Sequence, residues 1–244
     1  MAAGLAFLMY PVWKSYPAAD FLPAASQAYR NRQDLDYLRN LAEVDRSFTA
    51  ETRAAFEQGL DELITRAADL DRAKLTMEVA RLTALADNGH TNVLTRLGDS
   101  AFKSVPLRFG IFANGLFVVK ASGEARDFLG TRLVSVNGRP ADELTVALRP
   151  FIGRTTALLH AHAPRLIVSP ELLHAAGLSD NPDRSVFRFL RANGSMVDRM
   201  LIGDEHAAPS SLVPQVDVSP TFADYAAKRD PVMDEVLKLL KTNP

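Results

Sequence analysis

The feature that most constrains the fold of this chain is a change in hydrophobic periodicity near Gly98. Before this point, apolar residues recur three and four positions apart, which is the period of one face of an α-helix. After it, short runs of β-branched and aromatic residues alternate with turn dipeptides, a pattern typical of β-strands. The change therefore predicts an α+β chain in which a helical unit precedes a mixed one.

The helical pattern runs over residues 32–87. Its apolar positions form three groups that predict three antiparallel helices: Leu35, Leu38, Leu41 and Val44; Phe56, Leu60, Leu63 and Ile64; Leu75, Val79, Leu82 and Leu85. Thr49 and Asp71 are predicted N-caps, because their side-chain oxygens can accept from unpaired amides of a first helical turn. Asn88-Gly89 is expected to end the last helix, since both residues tolerate the left-handed conformation.

The mixed part begins with a predicted β-hairpin. Its strands are "VPLRFGIF" and "GLFVVKA", joined by "ANG". A short helical turn, the strand "TRLVSVNG" and a helix from Pro140 to Pro150 follow. Helices over 154–166 and 169–176, with Ser169 as an N-cap, then lead to a second hairpin around Asn193-Gly194.

These patterns divide the chain into five segments. They are an N-terminal arm (1–31), the helical unit (32–98), a small α/β domain (99–152), helices with a β-hairpin (153–206), and a linker with a last helix at 230–241 (207–244). The apolar run at 2–10 is too short to span a bilayer, so no membrane span is predicted. It also lacks a preceding Lys or Arg, which leaves a packed arm and a signal-peptide remnant as alternatives.

Composition excludes several function classes. A formal net charge of −1 leaves no basic excess for phosphates, so no nucleic-acid partner is expected. The absence of Cys excludes disulfides, a catalytic thiol and thiolate metal sites, although it leaves the compartment unknown. No Gly-rich phosphate loop occurs, and no cofactor is predicted.

Histidine supplies the candidate chemistry. His90 follows Asn88-Gly89, a position more typical of a structural residue because imidazolium interacts favourably with a helix C-terminus. A chemical role stays open, and Asp87 is close enough in sequence to orient the ring. His160 and His162 are two residues apart on a predicted helix and cannot both face one ion, while His174 and His206 have no partner at a metal-ligand spacing. All four are therefore interpreted as surface or hydrogen-bonded structural residues, and no metal site is predicted.

A nucleophile is not identifiable. There is no Gly-x-Ser-x-Gly elbow and no Ser-x-x-Lys pair in a suitable context. The first hairpin allows a binding role, since an exposed strand can accept an extended peptide as an additional strand. A hairpin that simply closes a sheet is an equally good interpretation.

Several ordered segments resemble one family. "LADNGHTNV", "VPLRFGIFANGLFVVKA", "DFLGTRLVSVNGRPADELTVALRPFI" and "PRLIVSPELLHAAGL" are similar to the front half of the tail-specific, or C-terminal processing, serine peptidases and their tricorn-like relatives. The resemblance runs from about Asp34 to Gly203. It implies a helical unit, a Gly-His-Thr element, a PDZ-like domain at 99–152, and then a crotonase-like core that carries the nucleophilic Ser.

The resemblance also implies site residues. Gly89-His90-Thr91 matches the Gly-His-Thr element, so His90 would be the general base, with Asp87, Gly89 and Thr91 supporting it. The PDZ-like peptide site would comprise Leu107, Arg108, Phe109, Gly110, Leu116 and Phe117. However, "VPLRFGIF" lacks the double-Gly loop whose amides hold a peptide carboxylate.

The chain departs from the family because nothing in 207–244 resembles the catalytic core. We therefore expect the non-nucleophile portion of a serine-type peptidase, inactive alone, with an extended or unfolded peptide as substrate and a separate or downstream core as partner. Family resemblance favours an exported compartment. The alternative is a non-catalytic peptide-binding or scaffolding module in which His90 only ends a helix.

Overall fold

A computed structural model describes residues 20–93 and 102–205 of the chain. This part contains α-helices and a six-stranded antiparallel sheet, which confirms the predicted α+β class. The apolar run at 2–10, the linker at 207–220 and the predicted helix at 230–241 lie outside the described residues.

The described residues of the helical unit form four α-helices and two short 3-10 turns. The helices are α1 (Gln27–Leu38), α2 (Asn40–Val44), α3 (Ala50–Thr65) and α4 (Arg72–Thr83), and the 3-10 turns are Ala67–Asp69 and Ala84–Ala86. Both predicted N-caps are confirmed, because Thr49 accepts from the backbone N–H of Thr52 and Asp71 from that of Lys74. Helix α1 starts at Gln27, inside the segment predicted to be an N-terminal arm.

Helix α4 is shared between two hydrophobic cores. Leu82 packs in the core of the helical unit, together with Leu35 of α1 and Phe56 of α3. Met77 and Ala80, on another face of α4, belong to the core beneath the sheet. The helical unit is thereby attached to the rest of the protein through a helix that belongs to both.

The sheet has the strand order β1-β2-β3-β5-β6, with the short β4 paired to β3. The strands are β1 (Leu107–Phe112), β2 (Gly115–Ala121), β3 (Arg132–Val136), β4 (Arg139–Pro140), β5 (Arg184–Leu190) and β6 (Met196–Ile202). Both predicted hairpins, β1–β2 and β5–β6, are confirmed. Because β5 pairs with β3, the second hairpin continues the same sheet, although the sequence analysis placed it in a separate segment.

The remaining helices contribute buried side chains to the core that also contains the sheet's buried residues. They are α5 (Ala141–Ala147), α6 (Arg149–Ile152), α7 (Thr156–Ile167) and α8 (Pro170–Ala175). Pro150 lies in the first turn of α6 instead of ending a longer helix, because the first turn tolerates the missing N–H of proline. Stacked rings of Phe128, Phe187 and Phe189 lie at the centre of the core.

Within residues 20–93 and 102–205, no helix combines the length and the apolar character needed to cross a bilayer.

Candidate functional site

The turn that carries His90 follows a left-handed residue at the end of α4. That residue is Asp87, with φ 47° and ψ 39°, and not Asn88 or Gly89 as the sequence suggested. Aspartate tolerates this conformation better than most residues, because its short side chain can form local hydrogen bonds. The chain therefore reverses at Asp87, and residues 88–91 form the turn that follows.

Polar contacts attach this turn to the loop between α2 and α3. The side-chain amide of Asn88 donates to Oγ of Ser47 at 2.7 Å, and its Oδ1 accepts from the backbone N–H of His90 at 3.1 Å. The hydroxyl of Thr91 donates to Oδ2 of Asp45, whose Oδ1 accepts from the backbone N–H of Ser47 at 2.7 Å. The residues on either side of His90 are thus both held by the helical unit.

The opposite side of the turn contacts the start of α7. Oδ1 of Asp87 accepts from the backbone N–H of Arg154 at 2.7 Å. A Cβ atom on Gly89 would lie 3.0 Å from Cδ2 of Leu158, so this glycine permits a close approach. The carboxylate of Asp87 is directed towards the α6–α7 connection, and the hydrogen bond that the structure gives it is to Arg154 and not to His90.

The imidazole of His90 itself is exposed at the surface. Its backbone N–H is bonded to Asn88, whereas its ring forms no hydrogen bond to any other residue of the described ranges. The ring is exposed, and its turn is hydrogen-bonded to the α2–α3 loop and to the α6–α7 connection. A reacting group on another polypeptide segment could therefore approach the ring for proton transfer.

Asp45 is the charged group of this site. Burial raises the pKa of its carboxyl, but hydrogen bonds from Thr91 and Ser47 and the charge of Arg53 together outweigh burial, so the pKa lies below its usual value. The carboxylate is therefore ionised near neutral pH. Sequence reasoning missed Asp45 and Ser47 because they lie more than forty residues before the turn; their only local signal is the Asx-turn pattern Asp-x-Ser.

The predicted peptide site falls on the first hairpin, where its residues have different environments. The side chains of Leu107, Phe109 and Leu116 are buried in the core beneath the sheet. Strand β2 pairs with β1 on one side and with β3 on the other, so its main chain is occupied. Among the described residues β1 pairs with β2 alone, so its outer main-chain edge has no strand partner there. Phe109 on this edge is buried, and Ile111 is half-buried.

The main-chain groups at that edge can be identified from the pairing pattern. Phe109 is opposite Val118, which donates its N–H to the carbonyl of Thr131 at 3.0 Å and accepts from the N–H of Gly130 at 2.9 Å. The N–H and C=O of Val118 therefore point away from β1. Residues directly opposite each other in an antiparallel pair either both bond across the pair or both point away from it, so the N–H and C=O of Phe109 point away from β2. Those of Ile111, two residues later, do the same. Among the described residues, no backbone bond outside the strand ladder involves Phe109 or Ile111.

Other predicted peptide-site residues have packing roles. A Cβ atom on Gly110 would lie 2.9 Å from Cγ1 of Val119 and 3.0 Å from Cε2 of Phe112. The ring of Phe117 packs edge-to-face on that of Phe112, with their centroids 5.7 Å apart. Arg108 is half-buried on the same strand as Gly110. Glycine at 110 therefore permits the packing of its neighbours, whatever binds at the edge.

The other histidines lie apart from the turn. His160 is exposed, and Nδ1 of His174 is 2.8 Å from the carbonyl oxygen of Ser179, whereas His206 lies outside the described residues. The interpretation was wrong for His162, which is buried and whose Nδ1 has no hydrogen-bond partner within residues 20–93 and 102–205. Burial and, secondarily, the charge of Arg165 lower its pKa. No group of three or more His, Cys, Asp or Glu side chains in the described ranges is arranged to hold a metal ion.

No family model matches this chain, and no curated protein matches it significantly. Among solved structures, it is similar to CPAF. Mature CPAF is 16% identical with a TM-score of 0.45, and mature CPAF complexed with lactacystin is 16% identical with a TM-score of 0.49. A CPAF mutant is 17% identical with a TM-score of 0.46.

The match is partial in length. It covers 81%, 81% and 72% of this chain in the same order, but 39%, 40% and 34% of the CPAF chains. This chain thus spans well under half the length of those proteins.

Proposed function

We propose that this chain is the non-nucleophile portion of a serine-type peptidase, in which His90 is the general base and the β1 edge contacts an extended peptide. The observation that carries the proposal is the exposed imidazole of His90 on a turn attached to two different parts of the protein. A catalytic base needs this combination of access and restricted direction.

The proposed chemistry is proton transfer. A ring nitrogen of His90 would accept the hydroxyl proton of a Ser supplied outside these residues, while that oxygen attacks the peptide carbonyl. The proton would then pass to the leaving amine as the C–N bond breaks, which returns the imidazole to its neutral form. Without the Ser and its oxyanion-binding groups, this chain alone would be inactive.

The edge of β1 would bind the substrate through its main chain. Phe109 and Ile111 direct main-chain groups outward, and an extended peptide paired there would form hydrogen bonds independent of its sequence. Helix α7 packs against β1 and also contacts the His90 turn through Leu158. The same helix thus connects the two proposed parts of the site.

The experiment is a peptidase assay on an unstructured fluorogenic peptide. The 244-residue chain should be inactive alone, and activity should appear when a catalytic core is supplied downstream or as a separate chain. In the active form, His90→Ala should lower kcat by roughly 10² to 10⁴. His160→Ala, at another exposed histidine, is the matched control and should have no effect. Hydrolysis by the chain alone, or full activity of His90→Ala, would refute the proposal.

A second candidate is a non-catalytic peptide-binding module, which the outer edge of β1 favours because no strand of the described residues pairs with it. Titration of the labelled chain with an extended peptide should then shift the amide resonances of Phe109 and Ile111. Ile111→Pro removes an outward N–H and should abolish binding, whereas Ile111→Val should retain it. If the chain binds the peptide but no added catalytic core produces hydrolysis, this candidate is favoured over the peptidase.

A further inference from the structure

We infer that Asp45 is a positioning residue for His90, which it holds in place through the hydroxyl of Thr91 and the backbone of Ser47. The inference rests on the proposed function, because His90 matters only if its ring takes part in chemistry. In the part of the chain that the structure describes, the carboxylate of Asp45 is hydrogen-bonded to Thr91 and Ser47 and not to the His90 ring. It acts through Thr91, which follows His90, and through Ser47, which is hydrogen-bonded to Asn88 two residues before His90.

Both carboxylate oxygens of Asp45 are used in this arrangement. Oδ2 accepts from Thr91, the residue after His90, and Oδ1 accepts from the backbone N–H of Ser47 at 2.7 Å. Ser47 in turn accepts from Asn88 at 2.7 Å, and Asn88 accepts from the backbone N–H of His90. One carboxylate therefore restrains the His90 backbone from both directions along the chain.

The charge of Asp45 strengthens these contacts. Hydrogen bonds to an ionised acceptor are shorter and about twice as strong as those between neutral groups. Arg53 on α3 adds a favourable charge and donates to the backbone carbonyl of Asp45 at 3.4 Å. The acceptor is thus itself held by the longest helix of the helical unit.

The geometric need is specific to an exposed base. A buried imidazole is held by its packing, but the ring of His90 has no hydrogen bond to the described residues and can be restrained only through its backbone. Errors of about 1 Å in the placement of a reacting group can lower a rate by about a hundredfold. A backbone held on both sides reduces such errors.

The first test measures amide hydrogen exchange at residues 88–91 in the full chain. Thr91→Val removes the hydroxyl at nearly constant shape and should speed exchange there about tenfold, because a charge-assisted bond is lost. Asp45→Ala should have at least the same effect, and Thr91→Ser should restore protection. Asp61→Ala is the matched control, since Asp61 is an exposed acid of the same unit paired with Arg39.

The second test uses the peptidase-competent form. Thr91→Val and Asp45→Ala should lower kcat about tenfold with KM unchanged, and Thr91→Ser should recover most of the rate. Unchanged exchange at 88–91 in both variants, or a Thr91→Ser protein as impaired as Thr91→Val, would overturn the inference. A different outcome is that Thr91→Val and Asp45→Ala speed exchange while His90→Ala keeps full activity. That outcome would refute the proposed function and leave the role of Asp45 in shaping the turn intact.

Discussion

The carboxylate of Asp87 accepts a hydrogen bond from the backbone N–H of Arg154, at 2.7 Å and across 67 positions of sequence. Asp87 is also the left-handed residue that ends the last helical turn before His90. The same residue therefore ends the last helical turn and is joined by its side chain to the α6–α7 connection. The placement of the proposed base depends on this residue as well as on Asp45.

Replacement of Asp87 should separate its two roles. Asp87→Ala loses the hydrogen bond to Arg154. It also puts alanine, whose side chain cannot form local hydrogen bonds, in the left-handed conformation. We therefore expect the unfolding free energy to fall by about 1–3 kcal/mol. Asp87→Gly loses only the bond, and Asp87→Asn retains an acceptor and should cost the least. Urea unfolding of the three variants gives the comparison. Equal stability of the Ala and Asn variants would contradict this account.

Gly153 should not tolerate a side chain. Its φ of 121° is in a region that other residues rarely adopt, and a Cβ would lie 3.2 Å from Oδ1 of Asp87 and 3.3 Å from Cδ1 of Leu158. Gly153→Ala should therefore lower the unfolding free energy by about 1–3 kcal/mol. Gly130→Ala is the control, because Gly130 also has a positive φ but a Cβ atom there would meet no other atom within 4 Å. A larger loss for Gly130→Ala would refute the steric argument.

Asn31 should be required for the stability of the helical unit. It is fully buried, and its amide donates to the carbonyls of Ala67 at 2.9 Å and Leu70 at 2.7 Å. Asn31→Leu would leave both carbonyls without this donor and should cost about 1–3 kcal/mol in thermal or urea unfolding. Gln58→Leu, on the exposed face of α3, should change stability by less than about 0.5 kcal/mol. A neutral Asn31→Leu would show that these carbonyls find other donors.

Stability should depend on pH through His162. Burial and the charge of Arg165 lower its pKa in the folded state, so the unfolded chain binds the proton more readily. The folded protein should consequently lose stability as pH falls below the unfolded value of about 6.5, until the folded pKa is reached.

The check is urea unfolding from about pH 7.5 down to about pH 5, a range that spans the ordinary histidine pKa. His162→Phe should flatten this part of the pH profile relative to the unaltered chain, because the buried titrating group is gone. His160→Phe, at an exposed site of the same helix, should leave the slope unchanged. An identical slope in His162→Phe would show that other groups cause the dependence.

Local chemistry accounts for the parts of the fold that sequence reasoning predicted correctly. Thr49 and Asp71 cap their helices, and Gly194 has the positive φ expected of the hairpin turn that joins β5 to β6. Each of these features involves residues within about four positions of one another. At that range the type of side chain determines whether the hydrogen bond forms or which backbone angle is adopted. Helices and strands could therefore be placed without knowledge of the packing.

The sequence by itself thus determined the α+β class, the order of the helices and hairpins, and the presence of a histidine directly after a helix. Only the tertiary structure decided that Asp45 and Ser47 hold the His90 turn, that the buried His162 has no partner for Nδ1 among the described residues, and that β5 extends the first hairpin's sheet. These contacts join residues tens of positions apart. Their partners are chosen by the packing of whole helices and strands, and no local preference of a short segment specifies that choice.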